Sequence, residues 1–129
     1  MIIIHHNPDC GTSRNTLEMI RASGVEPVII EYLKIGWTKP YLQTLFAGAG
    51  LTPKQAMRVS GTPAESLGLT ADSISDDQIL EAMIAHPVLV NRPFVVSPKG
   101  IKLCRPSELV FELLESPPAA FTKEDGQRV

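Results

Sequence analysis

The sequence predicts an α/β fold in which a small mixed sheet is interrupted by a long helical insertion. Three observations support this prediction. Two short apolar runs, residues 2–5 and 27–30, flank a helix-like segment over residues 13–23. Residues 38–86 then carry helical patterns and helix-start signals. Finally, two apolar segments flank residues 97–100, whose Ser-Pro-Lys-Gly sequence is typical of a hairpin turn.

The first three elements form a predicted βαβ unit. Residues 2–5 and 27–30 are rich in β-branched side chains and are bounded by turn residues, so we expect two short buried strands. A helix from about Ser13 to Ser23 connects them, and Gly24 is a typical residue for ending a helix.

The middle of the chain is predicted to be an all-helical insertion over about residues 38–86. Thr52–Gln55 and Thr62–Glu65 each place a capping threonine before a first-turn proline, with Gln or Glu at the capping-box position. Ser75–Gln78 repeats the capping box without the proline. Each of these segments predicts a helix start.

The last part of the chain is predicted to be a β-hairpin followed by a helix. Phe94–Val96 and Ile101–Leu103 are the expected strands, and residues 107–114 are the expected helix. From Ser116 onward the sequence is rich in proline and charge, which favours a loosely held tail over about residues 116–129.

The order β, α, β, helical insertion, β-hairpin, α is that of a thioredoxin-like fold, and it predicts one such domain over residues 1–129. In that fold the loop after the first strand carries the reactive thiol, and a proline, often cis, opens the third strand opposite it. Pro93 lies at that position, so we expect the Arg92-Pro93 peptide bond to be cis.

Composition narrows the classes of function. A chain of 129 residues with 43% hydrophobic content and mean hydropathy +0.06 is typical of a globular domain. A net charge of -2 and a pI near 5.9 provide no field that would attract nucleic acid or an anionic membrane. The sequence shows no leader-like segment and no long apolar run, so we expect a cytoplasmic protein.

Cys10 is the candidate reactive thiol, because it follows the turn Asn7-Pro8-Asp9 and directly precedes the first predicted helix. An ordinary cysteine is only about 3% thiolate at pH 7, and making the thiolate predominant takes roughly 2.7 kcal/mol. A helix N-terminus supplies at most about 2 kcal/mol, so a cation or further hydrogen bonds are required. The local candidates are His6, Arg14 and the backbone amides of Gly11, Thr12 and Ser13, and these amides would also hold an oxyanion. An inert loop cysteine is the alternative interpretation.

Two missing motifs narrow the chemistry further. A CxxC redox motif would have its second cysteine where Ser13 stands, so a resolving thiol must come from elsewhere. A phosphatase-like C-x5-R loop would have an arginine where Thr16 stands, so arginines for an anion must come from distant segments. Arg58, Arg92 and Arg105 are the candidates. Three histidines and two cysteines show no metal-ligand spacing, so no metal site is predicted.

Four segments carry a family resemblance: HNPDCGTSRNTLEMI, HPVLVNRPFVV, LCRPSELV and FTKEDG resemble, in order over nearly the whole chain, those of the glutaredoxin-coupled arsenate reductases. The resemblance implies that Cys10 is the nucleophile and that His6 helps to activate it. It also implies that Arg58, Arg92 and Arg105 bind the oxyanion and stabilise intermediates.

The implied reaction reduces arsenate to arsenite. Glutathione, as co-substrate, would join the arsenical adduct on Cys10, and glutaredoxin would discharge the resulting mixed disulfide. We expect a monomer with no tightly bound cofactor, in which Cys104 packs at the hairpin end.

Two alternative functions stay open. A glutathione-dependent thiol/disulfide reductase would not need Arg58 and Arg105 together, and a non-enzymatic thioredoxin-like regulator would be expected to carry a CxxC switch.

Overall fold

A four-stranded mixed sheet joins the N-terminal and C-terminal parts of the chain. The computed structural model describes all 129 residues and divides into two compact units. The sheet unit comprises Met1–Glu31 and Arg92–Val129, and the helical unit comprises Tyr32–Asn91. The prediction that residues 1–129 behave as one domain stays a prediction. No helix in the structure combines the length and apolarity needed to cross a bilayer.

The sheet unit has the predicted thioredoxin-like topology. Its elements are β1 (Ile3–His5), α1 (Gly11–Ala22), β2 (Val28–Ile30), β3 (Phe94–Ser97), β4 (Gly100–Leu103) and a 3₁₀ helix (Ser107–Leu113). The strand order is β2-β1-β3-β4, in which β1 and β2 are parallel while β3 is antiparallel to both β1 and β4. The predicted α/β fold, the βαβ unit and the hairpin are therefore confirmed.

Strand register brings three chain segments to one edge of the sheet. His5 at the end of β1 pairs with Phe94 at the start of β3, and Phe94 pairs with Leu103 at the end of β4. The Cys104 amide donates to the Pro93 carbonyl at 2.8 Å, which extends the pairing by one step. The loop after β1 and the segments that flank the hairpin consequently meet at this edge. The Arg92-Pro93 peptide bond is cis, as predicted, and Arg105-Pro106 is cis as well.

The core of the sheet unit lies between the sheet, the inner side of α1 and the 3₁₀ helix. Its buried members are Ile2, Ile4, Leu17, Met19, Ile20, Val95, Cys104, Val110, Leu113 and Leu114. Each large side chain removed from water contributes about 1.5–3 kcal/mol. This packing holds α1 against the sheet through Leu17, Met19 and Ile20.

The helical unit contains three α-helices and a 3₁₀ helix. They are α2 (Tyr32–Ile35), α3 (Lys39–Ala49), α4 (Asp76–Ala85) and the 3₁₀ helix Pro87–Leu89. Thr38 caps α3 through a 3.4 Å hydrogen bond from the Tyr41 amide. The capping box predicted at Ser75 is confirmed, because both of its hydrogen bonds with Gln78 form.

The helices predicted to start at Thr52 and Thr62 are wrong. Thr52 and Gln55 do form the capping box, with hydrogen bonds of 2.9 and 3.2 Å, but only a turn follows. Met57 instead pairs with Val90 in an isolated β-bridge. Residues 62–63 form bends and residues 64–70 form turns, so the predicted insertion is not helical throughout. A cap satisfies the first amides of a helix, but later residues must also form their hydrogen bonds for the helix to propagate.

Two further expectations differ from the structure. β2 was expected to be buried, but Val28 and Ile29 are 45% and 37% exposed because β2 is an edge strand. The expected loose tail is ordered over residues 121–129. Phe121 and Val129 exchange two backbone hydrogen bonds of 2.8 Å and pack on the core. We call residues 121–129 the C-terminal hairpin.

Candidate active site

Cys10 lies where the loop after β1 enters helix α1. It is the N-cap residue of α1, its backbone is extended, and only 8% of the residue is exposed. The loop is held by its own polar groups: the Cys10 amide donates to the Asn7 carbonyl at 3.0 Å, and Asn7 Oδ1 accepts from the Asp9 amide at 2.9 Å. Such an Asx turn fixes the backbone locally, so the thiol is held at the sheet edge.

Two predicted arginines lie beside the thiol. Arg105 Nη1 is 3.8 Å from Cys10 Sγ and donates to the Arg92 carbonyl at 3.0 Å. The side chain of Arg92 also forms a hydrogen bond with the thiol. Arg92 precedes β3 and Arg105 follows β4, so the antiparallel pairing of these strands places both guanidinium groups near Cys10. The structure thus brings together three of the residues chosen from the sequence.

The surroundings of Cys10 favour its thiolate. Burial raises the pKa of the thiol, but the Arg92 hydrogen bond, a hydrogen bond from the Ser13 backbone amide, and the charge of Arg92 lower it. The Arg105 hydrogen bond lowers the pKa further, and the net shift of Cys10 is downward. A thiolate is the nucleophilic form of cysteine. Cys10 is therefore a candidate nucleophile, with the guanidinium groups of Arg92 and Arg105 beside it.

His6 contacts Ser13 rather than the thiol. Its Nδ1 lies 2.7 Å from Ser13 Oγ, and that hydroxyl oxygen also accepts from the Asn7 amide at 3.1 Å. Burial is the largest influence on the pKa of His6, and the pKa is lowered. The implied role of His6 in activating Cys10 stays a prediction. His6 contacts Ser13, whose backbone amide donates to the thiol, and burial disfavours the charged form of the imidazole.

Burial of two histidines has a consequence for stability. The pKa values of His5 and His6 are both lowered, mainly by burial, although the hydrogen bond of His5 to the Phe94 carbonyl opposes the shift. Below about pH 6.5 the unfolded chain consequently binds protons that the folded chain does not. Stability is then lost as the pH falls from about 6.5 toward the lowered values.

The first turn of α1 offers donors for an anion. The first intrahelical amide bond runs from Arg14 to the Cys10 carbonyl at 2.9 Å, so the amides of Gly11 and Thr12 have no partner within the helix. The first turn holds no acidic residue. Unpaired amides at a helix N-terminus attract anions, and two guanidinium groups lie beside the same thiol. The arrangement is suited to nucleophilic attack on a small oxyanion.

Comparison with known proteins identifies the family. The sequence profile described as the ArsC family matches residues 5–113. The chain belongs to the ArsC family. It is 55% identical over 130 residues to the arsenate reductase ArsI2 of Synechocystis, covering 100% of this chain and 93% of that protein. It is 52% identical over 129 residues to an arsenate reductase of Escherichia coli, covering 99% of this chain and 92% of that protein.

A solved ArsC-type structure supports the same assignment. The arsenate reductase from Vibrio cholerae superposes with a TM-score of 0.83 at 35% identity, covering 88% of this chain and 97% of that one. Family membership and the thioredoxin-like fold predicted from the sequence are thus both shown.

Two further residues of this ArsC-family chain were singled out from the sequence, Arg58 and Cys104. Arg58 belongs to the helical unit, where its amide donates to the Leu89 carbonyl at 2.7 Å and its Nε to the Ser60 carbonyl at 3.2 Å. Its role in binding an oxyanion stays a prediction. Cys104 is fully buried in the core, and burial raises its pKa to about 12. It packs at the hairpin end, as expected.

Glu124 is a residue near the site that sequence reasoning missed. It forms a bidentate ion pair with Arg14, with distances of 3.0 Å from Nε and from Nη2. The two residues are 110 positions apart in the sequence, and no local pattern links them. The only signal was that FTKEDG, which contains Glu124, is one of the segments that resemble the family.

Proposed function

We propose that this protein reduces arsenate to arsenite, with Cys10 as the nucleophile and glutathione and glutaredoxin as the source of electrons. The observation that carries the proposal is the Cys10 thiol held beside two guanidinium groups in a chain whose full-length relatives bear the name arsenate reductase. Arsenate at neutral pH is a small tetrahedral oxyanion with mostly two negative charges. Its approach to a thiolate is therefore opposed by charge repulsion.

The positive charges of the arginines offset this repulsion. Arg92 and Arg105 stabilise the thiolate before substrate arrives, and planar guanidinium groups also bind tetrahedral oxyanions through paired hydrogen bonds. The amides of Gly11 and Thr12 add neutral donors at the helix N-terminus. Cys10 Sγ then forms a bond to arsenic, and one arsenate oxygen takes up protons and leaves as water.

Electrons come from outside the chain in this proposal. The glutathione thiolate attacks Cys10 Sγ in the adduct and forms an S–S bond, the electron pair of the arsenic–sulfur bond goes to arsenic, and arsenite leaves. Cys10 stays behind in a disulfide with glutathione, which glutaredoxin reduces. The position of Cys104 supports an external donor, because it is fully buried in the core and its raised pKa keeps it a thiol. No tightly bound cofactor is required.

A reducing compartment fits this chemistry. Glutathione keeps cysteines as thiols in the cytoplasm, so we propose a cytoplasmic protein. We also propose that it acts as a monomer. The net charge of -2 is consistent with a small-molecule substrate and no nucleic-acid partner. Light scattering of the purified protein measures the oligomeric state directly.

Arsenite formation by purified components tests the function. The complete mixture contains the protein, arsenate, glutathione, glutaredoxin and a system that recycles oxidised glutathione. We expect arsenite only when all of them are present and none with Cys10→Ser. A glutathionylated peptide offered in place of arsenate tests the thiol-reductase alternative. Rapid reduction of that peptide without any arsenite formation would overturn the proposal.

A further inference from the structure

The C-terminal hairpin is fastened to the loop that carries Cys10. The Glu124 carboxylate binds the Arg14 guanidinium in a bidentate pair, and the Glu124 amide donates to Asn15 Oδ1 at 3.0 Å. Arg14 and Asn15 both lie near the start of α1, the helix for which Cys10 is the N-cap residue. One residue of the hairpin therefore holds two neighbouring side chains of the catalytic helix.

Arg14 in turn closes the loop itself. Its Nη1 donates to the Pro8 carbonyl at 2.8 Å, so the guanidinium bridges the residues on either side of Cys10. The same side chain lies over Gly11, where an added Cβ would be 3.7 Å from Arg14 Nη2. Two guanidinium nitrogens of Arg14 donate to the Glu124 carboxylate, and the third donates to the Pro8 carbonyl. The carboxylate thus fixes the orientation in which Arg14 holds the loop.

The hairpin is a firm support for this contact. Lys123, next to Glu124, pairs with Glu108 at 2.9 Å, and the Lys123 side chain is only 10% exposed. Phe121 and Val129 close the hairpin through two backbone hydrogen bonds and pack on the core. The position of Glu124 is consequently set by the core and by the 3₁₀ helix that carries Glu108.

We propose that Glu124 is a positioning residue for Cys10, acting through Arg14 to hold the loop in the geometry that the thiolate and the oxyanion require. The role in turnover rests on the arsenate chemistry proposed above, whereas the effect on the thiol does not. The side chains of Arg14 and Glu124 are 43% and 49% exposed. Exposed ion pairs contribute little to global stability, so the contact acts on local geometry rather than on folding.

Glu124→Gln tests the proposal, since it removes the charge with little change of shape. Glu115→Gln is the matched control, because Glu115 is exposed near the start of the same tail and makes no ion pair. We expect Glu124→Gln to lower kcat about tenfold, less than the roughly hundredfold that a 1 Å misplacement can cost, with a smaller change in KM. Glu124→Asp should restore part of the loss, and Glu115→Gln should behave as wild type.

Alkylation of Cys10 by iodoacetamide gives a readout that needs no arsenate. We expect the midpoint of its pH dependence to rise in Glu124→Gln, because a looser loop weakens the hydrogen bonds that stabilise the thiolate. The Arg14→Gln variant should reproduce this change, and the double variant should be no worse than either single one. If arsenate is not a substrate at all, the alkylation midpoint still tests the positioning role.

Three results would overturn the proposal. One is an alkylation midpoint of Glu124→Gln equal to that of Glu115→Gln. Another is additive effects of Arg14→Gln and Glu124→Gln, which would show that the two residues act separately. The third is a fall in Tm large enough for the unfolded fraction to account for the lost activity, which would make the contact merely structural.

Discussion

Replacing Arg105 by alanine tests how the Cys10 thiolate is stabilised, because one guanidinium nitrogen of Arg105 contacts both the thiol and the backbone carbonyl of Arg92. Arg105 Nη1 lies 3.8 Å from Cys10 Sγ and 3.0 Å from the Arg92 carbonyl oxygen. The substitution removes one positive charge and one hydrogen bond from a thiol that is only 8% exposed. Arg92 and the Ser13 amide still contact the thiol, so the thiolate should be weakened rather than lost.

The size of this effect follows from the contact distance. Two unit charges 4 Å apart interact by about 4 kcal/mol at an effective dielectric constant of 20, before the loss of solvation is counted. The net value of a charged hydrogen bond is about 1.5–3 kcal/mol. Since 1.36 kcal/mol is a factor of ten, the ionisation constant of Cys10 should fall about tenfold to a hundredfold. Arg105→Lys should recover part of the lost ionisation of Cys10, because lysine keeps the positive charge but lacks the planar guanidinium group.

The ultraviolet absorbance of the thiolate, followed against pH, measures this ionisation. The assay reports on Cys10 alone over the useful range, because burial raises the pKa of Cys104 to about 12. Arg128→Ala is the matched control, since Arg128 is exposed and its side chain makes no ion pair. A Cys10 titration in Arg105→Ala that coincides with wild type would refute the assignment of Arg105 as a thiolate-stabilising group.

Three further predictions follow from the site and the core. Cys10→Ser should abolish arsenite formation while its circular dichroism and Tm stay near wild type, because the side chain lies in a loop; substantial residual turnover would contradict the assignment of Cys10 as nucleophile. Cys104→Ser should keep most activity per folded molecule, since Cys104 is buried and its pKa is raised; an obligatory Cys10–Cys104 disulfide would count against this. Urea unfolding should show stability falling below about pH 6.5, by at most about 1.4 kcal/mol per pH unit for each buried histidine. His5→Gln should reduce that slope; a slope equal to that of wild type would exclude His5 as a source.

Much of the site was predictable because its signals are local or follow from strand pairing. The apolar run before His5, the Asn7-Pro8-Asp9 turn and the helix pattern after Cys10 place a thiol at a helix start. Once Phe94 and Leu103 are assigned to a hairpin, the residues just outside it must lie side by side. The placement of both Arg92 and Arg105 beside the thiol follows from that register.

The features that sequence reasoning missed depend on tertiary contacts. The capping box at Thr52 forms, yet the helix stops because the Arg58 amide donates to the Leu89 carbonyl and the Ala56 carbonyl accepts from the Asn91 amide. A helix-capping motif predicts only the first turn of a helix and does not determine which carbonyl groups the later backbone amides will bind. β2 has the composition of a buried strand, but its exposure is set by its place at the edge of the sheet.

The same limit applies to side-chain roles. His6 was a candidate for a cation or hydrogen-bond donor near Cys10; its side chain contacts the Ser13 hydroxyl, and burial lowers its pKa. Which polar group a loop histidine faces depends on the exact turn geometry. The pairing of Arg14 with Glu124 spans 110 positions and requires the C-terminal hairpin to fold back onto α1.

The central claim is that the Cys10 thiolate attacks arsenate and that an external thiol resolves the product. Mass spectrometry of the enzyme incubated with arsenate and reduced glutathione, with glutaredoxin omitted, tests it most directly. Without glutaredoxin the mixed disulfide cannot be discharged and should accumulate. Peptide mapping should find glutathione on Cys10 and an unmodified Cys104, and the adduct should be absent when arsenate is left out. A Cys10–Cys104 disulfide, or a glutathione adduct that forms equally well without arsenate, would contradict the mechanism.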